Sequence, residues 1–406
     1  MRLGILVVLG ACSFELRAGV GPIDASDGGG TERPIDAAID STIDAMIDAP
    51  GPDANTCFQG AWCRRKTITI DPARVSAGPH ASFPVLIRLP SDANLAADAR
   101  ADGFDLLFTA ADGITKLPHQ RQRFVKATGE LIAWVEIPML SSAAPTVIHL
   151  YYGNSNAADQ QDVANTWDSG IYKGVWHLEE TSTATDSLRD STTFGNHATP
   201  TNAPTLGSAG MIGLAVGFDG ADDSLNVPDS ASLDSTAAAG TFSMWVHFFD
   251  PSVSGKYQFL MTTSNAFSMP SDGYSWSVQP DGDHYFYPRV TGTNFNVVTN
   301  PFANATWHHA QVTFSFASKQ VVLYVDGTPR ALTTMGVNAT EWAQQAQPAN
   351  WLFGSNPADP PNDFAGFMDE IRVEATVRSA GWILTEYRNQ SAPATFYAVG
   401  VAVPLN

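Results

Sequence analysis

The chain has 406 residues, 44% of them hydrophobic and 16% charged, which is enough apolar material for more than one core. Its formal charge of −19 repels phosphate backbones and anionic lipid headgroups, so no nucleic-acid partner is expected. Turn-forming and aromatic residues are plentiful and long amphipathic helical periods nearly absent, the balance of an all-β extracellular protein.

Met1 and Arg2 precede an apolar run over residues 3–11, too short to span a bilayer. Leu9-Gly10-Ala11-Cys12 resembles a lipobox, the site where bacterial signal peptides are cut before an acylated cysteine. The resemblance implies a signal peptide over 1–12, lipidation of Cys12, and a membrane met only through that anchor. Ser13, where sorting signals carry Asp, resembles lipoproteins sent to the outer membrane, so the expected location is the bacterial cell envelope. The competing reading is a buried segment with a buried cysteine. Residues 13–56 repeat Ile-Asp at 35, 39, 43 and 47 amid Ala, Ser, Thr and Pro. A helix would stack those aspartates at i, i+4, where they repel, so the stretch reads as a disordered acidic tether. As a flexible coil it would span roughly 35–40 Å.

Cys57 and Cys63 flank Phe-Gln-Gly-Ala-Trp, and in an exported chain two cysteines this close are expected to pair. Zinc would need a companion pair or a nearby His, which the sequence lacks. Strand-like runs follow at 66–70, 83–89, 104–108, 131–137 and 146–152, bounded by Pro, Gly, Asn or Asp, predicting a small β-sandwich over 57–168. In order, Trp62-Cys63-Arg64-Arg65-Lys66, Phe83-Pro84-Val85-Leu86-Ile87, Asp102-Gly103-Phe104-Asp105, Ala133-Trp134-Val135-Glu136-Ile137-Pro138 and Leu150-Tyr151-Tyr152-Gly153-Asn154 resemble domain of unknown function family 2341. Trp134, Tyr151 and Tyr152 read either as an aromatic sugar platform or, by strand alternation, as core. Arg64, Arg65 and Lys66 read as a solvated strand entry, with an anion site as the alternative.

Beyond residue 169 the strands lengthen. In 241–248, alternation puts Phe242, Met244, Val246 and Phe248 on one face, and Val321 to Val325 followed by Asp326-Gly327 predicts a strand entering a tight hairpin. Many such strands predict two packed antiparallel sheets over 169–406. Val175-Trp176-His177-Leu178, Gly217-Phe218-Asp219-Gly220, Asp222-Asp223, Thr241-Phe242-Ser243-Met244-Trp245-Val246, Trp307-His308-His309, Leu323-Tyr324-Val325-Asp326-Gly327 and Gly366-Phe367-Met368-Asp369-Glu370-Ile371-Arg372-Val373 resemble the laminin-G-like, concanavalin A-like jelly-roll family. The tail at 382–396 resembles the ending found when the two families share one chain.

The resemblance implies a calcium ion at the sheet rim, with Asp219, Asp222, Asp223 and Asp369 in matching positions and no organic cofactor. The other reading makes Asp219-Gly220 and Asp222-Asp223 turn formers and Asp369 a strand cap. His177, His308 and His309 read as structural, and alternation sets the last two on opposite faces. The expected role is adhesion or recognition of a glycan or a surface protein, without catalysis. The alternatives are a structural envelope component and a glycoside hydrolase. A retaining hydrolase of this fold presents a Glu-x-Asp-x-Glu pattern, and none occurs here.

Overall fold

The structure is a computed structural model. It describes residues 56–406 except 235–237, 250–256, 264–273, 281, 288–295, 299–304, 331–332, 336–348 and 357–361. The expectations for Cys12 and for the tether up to residue 55 lie outside the described residues.

The described chain opens with β1 (Arg64–Ile70), β2 (His80–Leu89), β3 (Leu107–Ala110), β4 (Lys116–Leu117), β5 (His119–Val125), β6 (Glu130–Leu140) and β7 (Thr146–Tyr152). There follow β8 (Tyr172–Trp176), β9 (Thr199–Thr201), β10 (Thr205–Ala209), β11 (Leu214–Asp219), β12 (Ser224–Val227), β13 (Ala239–Phe248), β14 (Gln258–Thr262), β15 (Ser275–Val278) and β16 (His284–Tyr287). After these come β17 (Asn296–Val298), β18 (Trp307–Ser315), β19 (Gln320–Val325), β20 (Thr328–Pro329), β21 (Thr333–Met335), β22 (Trp351–Phe353) and β23 (Ala365–Glu374). A helix at Ala380–Ser391 precedes β24 (Tyr397–Val399) and β25 (Val403–Pro404).

In the first sandwich, a sheet in the order β24-β1-β7-β3-β4, with β25 also beside β1, faces the sheet β2-β6-β5. Period-two alternation builds the core between them: Ile68 and Ile70 of β1, Ile148 and Leu150 of β7, and Leu131, Ala133, Val135 and Ile137 of β6 all point inward. The Cys57–Cys63 disulfide is present, with Cα atoms 4.4 Å apart. It closes a short hairpin that lays Phe58 and Trp62 over the outward-facing Leu107 and Tyr151.

The second sandwich pairs the sheet β10-β11-β23-β13-β18-β19-β20, with β8 added beside β23, against β16-β15-β14-β22-β12-β9. Phe242, Met244, Val246 and Phe248 fill its core as their spacing predicts. Asp326 and Gly327 both take positive φ, +53° and +72°, and turn β19 directly into β20.

One strand departs from simple alternation. On β23, Met368, Ile371 and Val373 enter the core, which leaves an extra residue between 368 and 371. Glu370 is that residue, at φ +51° opposite a register break on β13. The bulge keeps Asp369 and Arg372 on the outer face despite their three-residue spacing and fits Glu370 in beside them.

That outer face meets the first sandwich. Trp134 of β6 points away from its own core and packs with Trp167, Tyr172, Val175 and Ile212 in a separate apolar cluster. The Arg372 guanidinium lies 4.3 Å from the Trp134 ring centre and 4.9 Å from that of Trp167. It donates to Glu370 at 3.1 Å and to Glu386 at 2.6 Å. His177 Nδ1 sits 2.9 Å from both Glu370 oxygens, and its Nε2 lies 3.0 Å from Gln120 Oε1 on β5.

The helix Ala380–Ser391, capped by Ser379, wedges this junction. Towards the first sandwich, Asn389 accepts from the Leu86 N–H at 2.7 Å and donates to the Leu86 carbonyl at 3.1 Å. Tyr397 Oη treats Arg88 in the same way, so two side chains cover the open edge of β2. Towards the second sandwich, Gln390 accepts from Trp245 Nε1 at 2.6 Å, and Gln311 donates to Glu386 at 2.6 Å. β24 and β25 then pair with β1. Residues 397–404, expected within the second domain, thus extend a sheet of the first: Tyr397 and Val399 of β24 meet its core, and Val403 of β25 packs with Phe58 and Trp62 outside it.

Candidate functional site

The turn joining β11 to β12 carries Asp219, Asp222 and Asp223, which place one carboxylate oxygen each within 4.8 Å of the others. Asp219 and Asp222 are exposed and Asp223 is buried. Burial, reinforced by the charges of Asp219 and Asp222, raises the Asp223 carboxyl above the usual carboxylate range. Part of the donor set serves the turn itself: Asp223 accepts from the Asp219 N–H at 3.0 Å, and Asp219 from the Ala221 N–H at 2.8 Å. The cluster fits a calcium ion in part, supplying three carboxylates to a cation that takes six to eight oxygens.

Asp369 is not part of it. This residue is fully buried at the domain junction, where it accepts from the Ile212 N–H at 2.8 Å. Burial first, and the neighbouring Glu370 charge next, raise its carboxyl well above the usual range. The expected fourth ligand thus stands apart from the acidic turn, because alternation after the inward Met368 puts it on the outer face of β23, towards the first sandwich.

Beside the acidic turn lies an open groove of about 370 Å³ on the outer face of the sheet β16-β15-β14-β22-β12-β9. Its floor is Asn226 of β12 and Leu352 of β22, partners in register, with Thr201 of β9 alongside. Asp222, Asn356 and Asp363 contribute to its walls. Asn202 donates to the Asp222 carbonyl at 2.9 Å, fixing the acidic turn at one end. The Asn226 Oδ1 is shielded from solvent and bonds to no described group. Nothing in the sequence reading singled out Asn226 or Leu352. The legible signal was the alternation of 224–227, where Leu225 and Val227 enter the core and leave Asn226 on the opposite face.

The other flagged residues are accounted for by packing. Trp134, Tyr151 and Tyr152 lie in three separate apolar clusters, so the three together form no sugar platform. His309 stacks on Trp245 at 4.8 Å, and burial lowers its pKa to about 4. On the opposite face His308 bonds Asp326 at 2.7 Å. Arg64 pairs with Asp98 and Lys66 with Asp92, whereas Arg65 has no ion pair among the described residues.

Residues 102–189 match the family described as Domain of unknown function (DUF2341), and residues 219–384 match the Concanavalin A-like lectin/glucanases superfamily. The chain carries these two domains in this order. The DUF2341 match runs past β7 through Trp167, β8 and His177, so the matched sequence includes part of the domain junction. No curated protein matches the chain. Among solved structures it is similar to a Trypanosoma rangeli sialidase in complex with sialic acid, at 12% identity over 62% of this chain and 42% of that one, with a TM-score of 0.41. It is also similar to the binding domain of botulinum neurotoxin serotype D, at 11% identity over 56% and 53%, with a TM-score of 0.39. The binding domain of Paraclostridial Mosquitocidal Protein 1 is similar at 13% identity over 54% and 52%, with a TM-score of 0.41. The chain spans about half or less of the length of these structures.

Proposed function

We propose that this protein is a non-catalytic recognition module that takes a carbohydrate or protein ligand in the jelly-roll groove, with calcium at Asp219, Asp222 and Asp223. The observation that carries this reading is the contiguity of the acidic turn with the polar groove, which share Asp222. A cation there would neutralise the three crowded carboxylates and leave coordination positions facing the groove. The matched superfamily takes its name from lectins and glucanases, so hydrolysis is the rival. Against it, Asp369, Glu370 and Glu374 are buried at the domain junction, where a polysaccharide does not reach.

Calorimetric titration of calcium into the chain is expected to give saturable heat and a higher melting temperature. The double variant Asp219→Asn, Asp222→Asn is expected to lose both. A glycan array is expected to show calcium-dependent binding that Asn226→Trp, which fills the groove floor, removes. Absence of heat and of any melting shift would overturn the calcium site, and release of sugar from any polysaccharide would overturn the non-catalytic reading. Silence across glycans, with loss of envelope integrity on deletion, would favour a structural envelope component.

We further propose that Cys12 carries the lipid anchor of a bacterial envelope protein, on the strength of the Leu9 to Cys12 motif. Cys12→Ala is expected to shift the protein from the membrane fraction to the soluble fraction, and unchanged fractionation would count against the anchor.

A further inference from the structure

A second small cavity, of about 180 Å³, lies on the other domain, between the disulfide hairpin and the turn that joins β3 to β4. Its lining includes Phe58, Gln59, Ile114 and Tyr151, with Arg65 as its cation. Arg65 stands in register with Tyr151 on the outer face of the β1–β7 pair. Its Nε is shielded from solvent and bonds to no described group.

Arg65 is half-buried and has no acidic partner among the described residues, in a chain with 41 acidic residues against 22 basic ones. The neighbours Arg64 and Lys66 each have an aspartate. The carboxylate near the cavity, Asp112, is engaged by its own turn, accepting from the Ile114 and Thr115 N–H groups and from the Thr115 hydroxyl. A second cation stands close by, since Lys116 Nζ lies 5.8 Å from the Phe58 ring centre. The walls are a ring pair, Phe58 and Tyr151, with centroids 5.0 Å apart, and a rim residue, Ile114, that is 57% exposed. A void of about 150 Å³ holds a six-membered ring, so this one has room for such a ring with one substituent.

We propose that this cavity binds a monocarboxylate carried on a six-membered ring, with the Arg65 guanidinium clamping the carboxylate and the aromatic walls holding the ring. Guanidinium is the side chain suited to gripping a carboxylate through two parallel hydrogen bonds. The ring has two sources with the same chemistry, an aromatic acid or a uronic acid. The site shares no residue with the jelly-roll groove, so its test stands or falls independently of calcium and glycan binding there.

The experiment titrates sodium benzoate and sodium glucuronate separately into the full chain, with benzamide and glucose as neutral counterparts. One of the acids is expected to bind saturably, with Kd on the order of 1 mM for a ligand of this size, and its neutral counterpart not to bind. Which acid binds identifies the source. Arg65→Gln is expected to weaken that binding roughly tenfold or more, the usual cost of losing a charge-assisted hydrogen bond. Ile114→Glu, at an exposed rim position that folding tolerates, sets a competing carboxylate over the cavity and is expected to abolish binding. It decides the matter if Arg65→Gln fails to fold. Binding of neither acid, or binding unchanged in Ile114→Glu, overturns the proposal.

Discussion

Arg372→Met is expected to destabilise the two-domain body by about 3–5 kcal/mol, the range seen when one partner of a buried ion pair is removed. The loss does not come from the missing attraction alone. Glu370 and Glu386 are both almost fully buried, and each would remain a carboxylate without its guanidinium. His177 and Gln311 would still bond them, which keeps the cost from rising further. Arg372→Lys is expected to recover little, because a compact ammonium cannot reach both carboxylates while lying flat between Trp134 and Trp167. Denaturant unfolding followed by tryptophan fluorescence reads the effect directly, since both indoles sit at the junction. A midpoint unchanged from the parent would show that the arginine is dispensable.

The second large effect concerns the end of the chain. Removing residues 379–406 is expected to abolish cooperative folding of both domains. The cut takes Trp382, Phe396 and Tyr397 out of the first core, and each large aromatic lost from a core costs about 3–5 kcal/mol. Three such losses approach or exceed the whole stability of a typical domain, about 5–15 kcal/mol. The cut also exposes the backbone of β2 at Leu86 and Arg88 and strips one edge of β1. Circular dichroism melting and size-exclusion chromatography are expected to show a broad, aggregating species. A monomer with a sharp melting transition would show that the helix and the last strands are accessories.

Most of the architecture was legible from residue spacing. Alternation in 241–248 gave the inward face of β13, and Asp326-Gly327 gave the hairpin, because side-chain period and turn chemistry are local properties. The disulfide followed from two close cysteines in a chain read as exported. Harder to read was whatever depends on two distant segments meeting. The family resemblance groups Asp369 with the acidic turn, since all four aspartates stand in positions that match a calcium site. The Ile212 loop that bonds it instead lies more than 150 residues away along the chain. Alternation reads Trp134 as core, and it is buried, but in a cluster shared with the second domain, which no local pattern announces. The groove beside the acidic turn was missed because polar residues on the outer face of a strand look like ordinary solvated positions until a wall rises beside them.

The hydrogen bond from the Cys57 N–H to the Asn406 carbonyl, 2.9 Å long, brings the beginning and the end of the folded chain to one point. A mechanical pull arriving at Cys57 therefore enters β1, which is held over its whole length by β7 and along its other edge by β24 and β25. Drawn along its axis, such a strand loads its ladder bonds together in shear instead of peeling them apart one at a time. Tension on the N-terminal side is borne by the first sandwich and its disulfide before it reaches the jelly roll. The groove can then keep its shape while the chain behind it is under strain.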